Sequence, residues 1–197
     1  MTIPNRITLA RIIMIPLMAF FYLATFIPYG KIVALVLFIV AALTDFVDGH
    51  IARKYNMVSD LGKFLDPIAD KLLTTTALIL VICDGTVPQP YGAIAAIIIL
   101  AREFAISAFR QIAATKNFVM AADWWGKIKA NLQFFSFGGL MLLSFLYKDT
   151  TYSGVGIQVF EIVNWVLLGL AVLLTIISGI NYLVKNRAVL KSNKDEK

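Results

Sequence analysis

The chain has 197 residues, of which 59% are hydrophobic and only 15% charged, and its mean hydropathy is +0.80. A soluble domain of this size needs a polar surface that this composition does not supply, and the apolar residues fall in long runs of the kind that cross a bilayer. The single cysteine, Cys83, excludes an intrachain disulfide, and no zinc-type Cys/His cluster is present.

Six spans are predicted, over roughly residues 7–27, 31–54, 62–83, 91–115, 126–147 and 158–185. The segment before the first, Met1–Arg11, is polar and mildly basic, and the apolar stretch after it lacks a small-residue cleavage site, so it reads as a span and not as a signal peptide. Pro28-Tyr29-Gly30, Asp84 through Pro90 and Lys148 through Gly156 break the pattern as outer turns, while Tyr55–Leu61 and the stretch around Thr115–Asp123 are inner connections. Residues 1–185 are expected to form one helical membrane domain, and 186–197 a charged, disordered tail. With the N-terminus inside, the outer loops carry only Lys31 and Lys148; Arg6, Arg11, Arg53, Lys54, Lys116, Lys127, Lys129, Lys185 and Arg187 gather on the other side. That asymmetry sets the orientation, so the net charge of +6 serves topology and anionic headgroups, and no nucleic-acid partner is expected.

Spans two, three and four have short charge-free runs whose inner ends continue into sequence studded with Asp, Arg, Glu and Lys. Charge at membrane depth faces a protein interior or a wet cavity, which predicts a polar cavity open to the cytoplasm. Asp45 and Asp48 are three residues apart and Asp66 and Asp70 four apart, so each pair lies on one helix face. At about 1.5 Å per residue, Asp45 and Asp48 lie roughly 21 and 25 Å from the outer surface, and Asp70 and Asp66 roughly 20 and 26 Å. The four carboxylates thus reach one level. Desolvation and mutual repulsion oppose four charges in one space, and Mg²⁺ or Mn²⁺ suits an all-oxygen donor set. Two such ions would also clamp a phosphoryl centre. The other reading pairs each aspartate separately with a nearby Arg or Lys. Gly49, Ala52 and Gly62 leave room either for a nucleotide or for close helix packing.

The run Asp45-x2-Asp48-Gly49-x2-Ala52-Arg53-x8-Gly62-x3-Asp66-x3-Asp70 resembles the complete signature of the CDP-alcohol phosphatidyltransferase family, with every position filled. That resemblance implies an all-α, polytopic fold of six transmembrane helices, commonly homodimeric, with a site for two divalent cations. It implies that Asp45, Asp48, Asp66 and Asp70 hold metal, that Asp70 is also the general base, and that Asp48, Gly49, Ala52, Arg53 and Gly62 border the CDP group. Ala101-Arg102-Glu103 through Arg110, Trp125-Gly126-Lys127-Ile128-Lys129 and the opening Asn5-x2-Thr8-x2-Arg11-x4-Pro16 are similar to the branch of that family that uses glycerol 3-phosphate. The implied substrates are CDP-diacylglycerol and sn-glycerol 3-phosphate, at the cytoplasmic membrane of a bacterium.

The residues themselves also favour a phosphorylated acceptor. Arg110 and Lys127 reach the cytoplasmic interface by the same helical rise, and with Lys129 they would form an anion pocket beside the aspartates. A purely topogenic role for Lys127 and Lys129 stays open. Arg102 and Glu103 sit deeper; Arg102 either joins the acceptor-phosphate set or, with Glu103, braces the aspartates. Asn5, Thr8 and Arg11 recur every three residues on a slowly drifting face, as donor-phosphate or cavity contacts, or as capping and topology. His50 is expected at the interface, and Trp124 and Trp125 as interfacial anchors. Serine, inositol phosphate or phosphatidylglycerol are the alternative acceptors, and a divalent-cation transporter is the remote one. A transporter needs a pathway to the outer face, where the spans offer almost no polar residues.

Overall fold

Apolar surroundings offer a backbone no hydrogen-bond partners but its own, so long Leu-, Ile-, Val- and Phe-rich runs resolve into helices. A computed structural model describes residues 3–54, 60–115, 124–148, 150 and 154–186; within these, the side chains of residues 3–4, 45–54, 60–61, 63–64 and 114–115 lie outside the description. The described residues form six helices and no strand: α1 (Ile3–Leu23), α2 (Gly30–Lys54), α3 (Asp60–Cys83), α4 (Tyr91–Thr115), α5 (Trp124–Lys148) and α6 (Val155–Lys185). The expected tail from residue 187 onward lies outside the described residues.

Helices α2 to α6 begin and end within three residues of the predicted spans, whereas α1 lies four residues earlier than predicted at both ends. Pro4 has no N–H to lose in a first turn, so α1 can begin ahead of the polar residues. At the other end Pro28 disfavours helical backbone at Ile27. The chain turns instead, with Ile27 N–H donating to the Ala24 carbonyl at 3.1 Å and Gly30 N–H to the Ile27 carbonyl at 3.1 Å. Gly30 is required there: a Cβ would collide with the Phe21 carbonyl, so α1 and α2 form a tight hairpin.

By length and composition α1 (from Asn5), α4 (to Ala113), α5 and α6 can each cross a membrane; α2 contributes a shorter apolar stretch, Gly30–Thr44. The burial pattern is that of a protein dissolved in lipid. On α6 the buried stripe is Asn164, Leu168, Ala171, Thr175, Ser178, Gly179 and Tyr182, mostly small or polar. Its exposed face carries Ile162, Val166, Leu170, Leu173, Ile177 and Val184. On α1 likewise, Asn5, Thr8 and Arg11 are buried while Leu9, Ile13, Leu17 and Phe20 are exposed. Lipid tails are as apolar as leucine, so nothing drives such side chains inward, and polar and small residues fill the helix seams.

Helix α1 packs on α2 and α3, α5 on α6, and α4 on α6, while α5 also meets α2 and α3. The core joins Met18, Phe38, Leu78, Phe137, Leu140 and Met141, all fully buried or nearly so. Phe38 of α2 stacks on Phe134 of α5 at a centroid distance of 5.1 Å. At the α5–α6 crossing, Gly139 lets the buried Asn164 amide lie against the α5 backbone, and a Cβ there would overlap it.

Candidate active site

Asp66 and Asp70 lie one turn apart on α3, with Pro67 between them, which removes the N–H that would have bonded four residues back. Asp66 is half-buried and accepts a hydrogen bond from the Thr8 hydroxyl of α1 at 2.7 Å. Asp70 is exposed to an open cavity of about 640 Å³ to which all six helices contribute lining residues. Arg11 from α1, Leu43 from α2, Thr74 from α3, Arg102, Glu103 and Arg110 from α4, Lys127, Lys129 and Phe134 from α5, and Tyr182 from α6 are among its lining residues. Six of the residues singled out by sequence therefore meet in one space: Asp70, Arg11, Arg102, Arg110, Lys127 and Lys129. Thr8 and Asn5 are buried about one and two turns before Arg11 on α1. Gly62 is buried. The side chains of Asp45, Asp48, Ala52 and Arg53 and the surroundings of Gly49 and His50 lie outside the described residues, although α2 continues as helix through all of them. Among the described residues no three Asp, Glu, His or Cys side chains form a metal-holding group.

The cations of the cavity differ in how the protein holds them. Lys129, almost fully buried, is ion-paired with Glu103, and Arg102 reaches the same carboxylate at 3.4 Å. Arg102 also donates to the Ser178 hydroxyl at 3.1 Å. A buried cation is tolerated when it is paired and hydrogen-bonded in this way. Arg110 donates from Nε to the Tyr182 hydroxyl at 3.0 Å, its guanidinium carbon 5.4 Å from the centre of that ring. Lys127 is exposed on the cavity wall. Deeper in the α5–α6 seam, Gln133 donates to the Thr175 hydroxyl at 3.4 Å, and Thr175 donates to the Ala171 carbonyl at 2.6 Å.

Tyr182 and Gln133 take part in the cavity without having been assigned a site role from sequence, while Glu103, named from sequence with Arg102 as a brace, pairs with Arg102 and Lys129. The available signal was the spacing of polar residues along α6: Asn164, Thr175, Ser178 and Tyr182 fall on one helical stripe inside an otherwise apolar span. At the opposite end of the bundle Asp84 was also missed. It accepts hydrogen bonds from Tyr22 at 2.7 Å, from the Thr86 hydroxyl at 2.6 Å and N–H at 2.9 Å, and from Ser144. Lys31 and Lys148 approach it at 3.6 and 3.8 Å. Burial pushes its carboxyl upward, but the bonds from Ser144, Thr86 and Tyr22 outweigh that and hold it below the ordinary carboxylate range. Cys83 beside it is a free, exposed thiol, and Trp124 and Trp125 are exposed at the start of α5.

Helices apolar outside and polar within, gathered around a cavity where two carboxylates, Asp70 and Glu103, meet several cations, define an all-helical membrane protein with a site for anionic ligands. A profile of the CDP-alcohol phosphatidyltransferase family matches residues 1–177, and the chain belongs to that family. It is 38% identical over 202 residues to the CDP-diacylglycerol–glycerol-3-phosphate 3-phosphatidyltransferase of Bacillus subtilis, covering 97% of this chain and 98% of that protein. The proteins of the same name from Rickettsia bellii and Haemophilus influenzae are 38% and 35% identical, over 91% and 97% of this chain and 92% and 96% of theirs.

Proposed function

We propose that this chain transfers the phosphatidyl group of CDP-diacylglycerol to sn-glycerol 3-phosphate, releasing CMP and phosphatidylglycerophosphate. The observation that carries this is the sharing of one cavity by Asp70 and the cations Arg110 and Lys127. The reaction needs a base for a hydroxyl and positive charge for an acceptor's phosphate, side by side. The names of the relatives specify the same donor and acceptor.

All six helices span the bacterial inner membrane in this reading, with both termini and the cavity on the cytoplasmic side, as the distribution of Lys and Arg supports. The donor's acyl chains remain in lipid while its pyrophosphate enters the cavity, with Asn5, Thr8 and Arg11 of α1 on the donor side. Asp48, Gly49, Ala52, Arg53 and Gly62 border the CDP group. Asp45, Asp48, Asp66 and Asp70 offer hard oxygen donors on two neighbouring helices and would hold two divalent cations, Mg²⁺ or Mn²⁺. The Thr8 bond to Asp66, which orients a carboxylate through one oxygen and leaves the other available, fits such a donor set. When bound, the ions neutralise charge on the phosphates and on the departing CMP.

Arg110 and Lys127 hold the phosphate of the acceptor, the arginine by paired N–H groups and the lysine as a mobile charge. Lys129 and Arg102 act through Glu103, keeping the cavity wall positive without competing for its mouth. Asp70 takes the proton from the primary hydroxyl, whose oxygen then attacks the diacylglycerol-bearing phosphorus in line. The bond from that phosphorus to the bridging oxygen breaks, and CMP leaves with the electron pair. The protein works as a homodimer in the membrane.

The test is CMP release in detergent from CDP-diacylglycerol with glycerol 3-phosphate, serine, inositol phosphate or phosphatidylglycerol as acceptor. Turnover is expected with glycerol 3-phosphate. Release only with another acceptor would overturn the choice of alcohol, and no release with any would overturn the reaction.

A further inference from the structure

We infer that Tyr182 is a positioning residue that selects how Arg110 grips the acceptor's phosphate; this rests on the reading of Arg110 given above. Arg110 is on the exposed part of α4, and a free arginine side chain carries about 2 kcal/mol of rotamer entropy that a ligand must overcome. Here the side chain is anchored. Its Nε donates to the Tyr182 hydroxyl at 3.0 Å and its guanidinium carbon lies 5.4 Å from the ring centre, within range of the ring's electrostatic attraction. Tyr182 is itself fixed, only 2% exposed and packed edge-on against Phe109 at a centroid distance of 6.2 Å. The bond joins α4 to α6 across 72 residues of sequence.

The choice of nitrogen matters. A guanidinium can take two oxygens of a phosphate either side-on, through Nε and one Nη, or end-on, through both Nη groups. With Nε committed to the tyrosine, the side-on grip is closed and the end-on edge remains. That edge belongs to a side chain lining the cavity shared with Asp70 and Lys127. Tyr182 thereby converts a flexible charge into a fork of fixed direction, which favours an acceptor with a terminal phosphate over one that merely carries negative charge.

The experiment is a double-mutant cycle on the full-length protein in detergent, with Tyr182→Phe, Arg110→Ala and the double variant. Acceptor KM, donor KM and kcat are measured for each, and thermal unfolding checks the fold. Tyr182→Phe keeps the ring and its packing on Phe109 and removes the oxygen that accepts from Nε. Acceptor KM is expected to rise on the order of tenfold, the weight of one charge-assisted hydrogen bond, with donor KM, kcat and unfolding unchanged. In the Arg110→Ala background the tyrosine substitution should add nothing, because the group it acts through is gone. A Tyr182→Phe effect that persists undiminished without Arg110 would overturn the inference, since the tyrosine would then act on substrate or fold directly. A rise in acceptor KM for Arg110→Ala with none for Tyr182→Phe would also overturn it while leaving the proposed function intact. No acceptor effect from Arg110→Ala would instead remove the assignment of Arg110 on which the inference stands.

Discussion

Asp66 and Asp70 are chemically alike and differ in their surroundings. The first is half-buried and bonded to Thr8, whereas the second opens onto the cavity. A base must reach the proton it removes, and of the two only Asp70 lines the cavity in which an acceptor would sit. Asp70→Asn keeps the size and shape of the side chain but has no proton affinity at neutral pH. Turnover measured as CMP release should fall by about 10²- to 10⁴-fold, the usual weight of general-base catalysis, while thermal unfolding in detergent stays as in the parent. Near-normal turnover would remove the base assignment. At this scale the sequence was informative wherever chemistry and context disagreed: an aspartate or arginine in an apolar run has few explanations. Partnerships were illegible because they join distant positions, as when Lys129 meets Glu103 across 26 residues or Arg110 meets Tyr182 across 72.

Helix boundaries were legible for a different reason. In an apolar solvent the limits of a helix follow the limits of the apolar run, and turn-forming residues punctuate the rest. Only α1 departed, because Pro28 acts back on the preceding backbone and Pro4 opens the helix early, effects that hydropathy does not register. How helices meet is written in small residues, and the α5–α6 crossing shows it at Gly139. The Asn164 amide, 1% exposed and donating to the Phe160 carbonyl at 2.8 Å, occupies the space a Cβ would need. Gly139→Ala must therefore push the two helices apart or break that bond, at a cost of about 1–3 kcal/mol. A lower unfolding midpoint in detergent is expected. Gly139→Ala combined with Asn164→Ala should recover part of the loss, since the second change empties the contested space. Additive losses in the double variant would mean that the glycine serves another purpose.

Across the whole molecule the two ends of the bundle are built differently. The cavity end holds several cations around exposed carboxylate, an arrangement kept open for ligand. The far end is closed by one residue, Asp84, which collects bonds from Tyr22 of α1 and Ser144 of α5, with Lys31 of α2 and Lys148 of α5 beside it. From sequence the two lysines were topological markers and the aspartate an ordinary loop residue, because its partners other than Thr86 lie some 53 to 64 positions away. This cluster makes the fold's stability depend on pH with a definite sign. The folded carboxyl is held below its usual value, near 3.9 in an unfolded chain. Its contribution is therefore complete above about pH 4 and disappears as the pH falls through the lower folded value. Protonation leaves Ser144, Tyr22 and Thr86 donating to a weakened acceptor while Lys31 remains charged beside it. Thermal unfolding of the parent and of Asp84→Asn, compared in detergent from neutral pH down to about pH 3, separates this residue from the other carboxylates, which both proteins share. The variant should be the less stable at neutral pH, and the gap should close on acidification. A gap that is constant with pH would mean that Asp84 acts through shape and not through charge, and the far end of the bundle would then be held by packing alone.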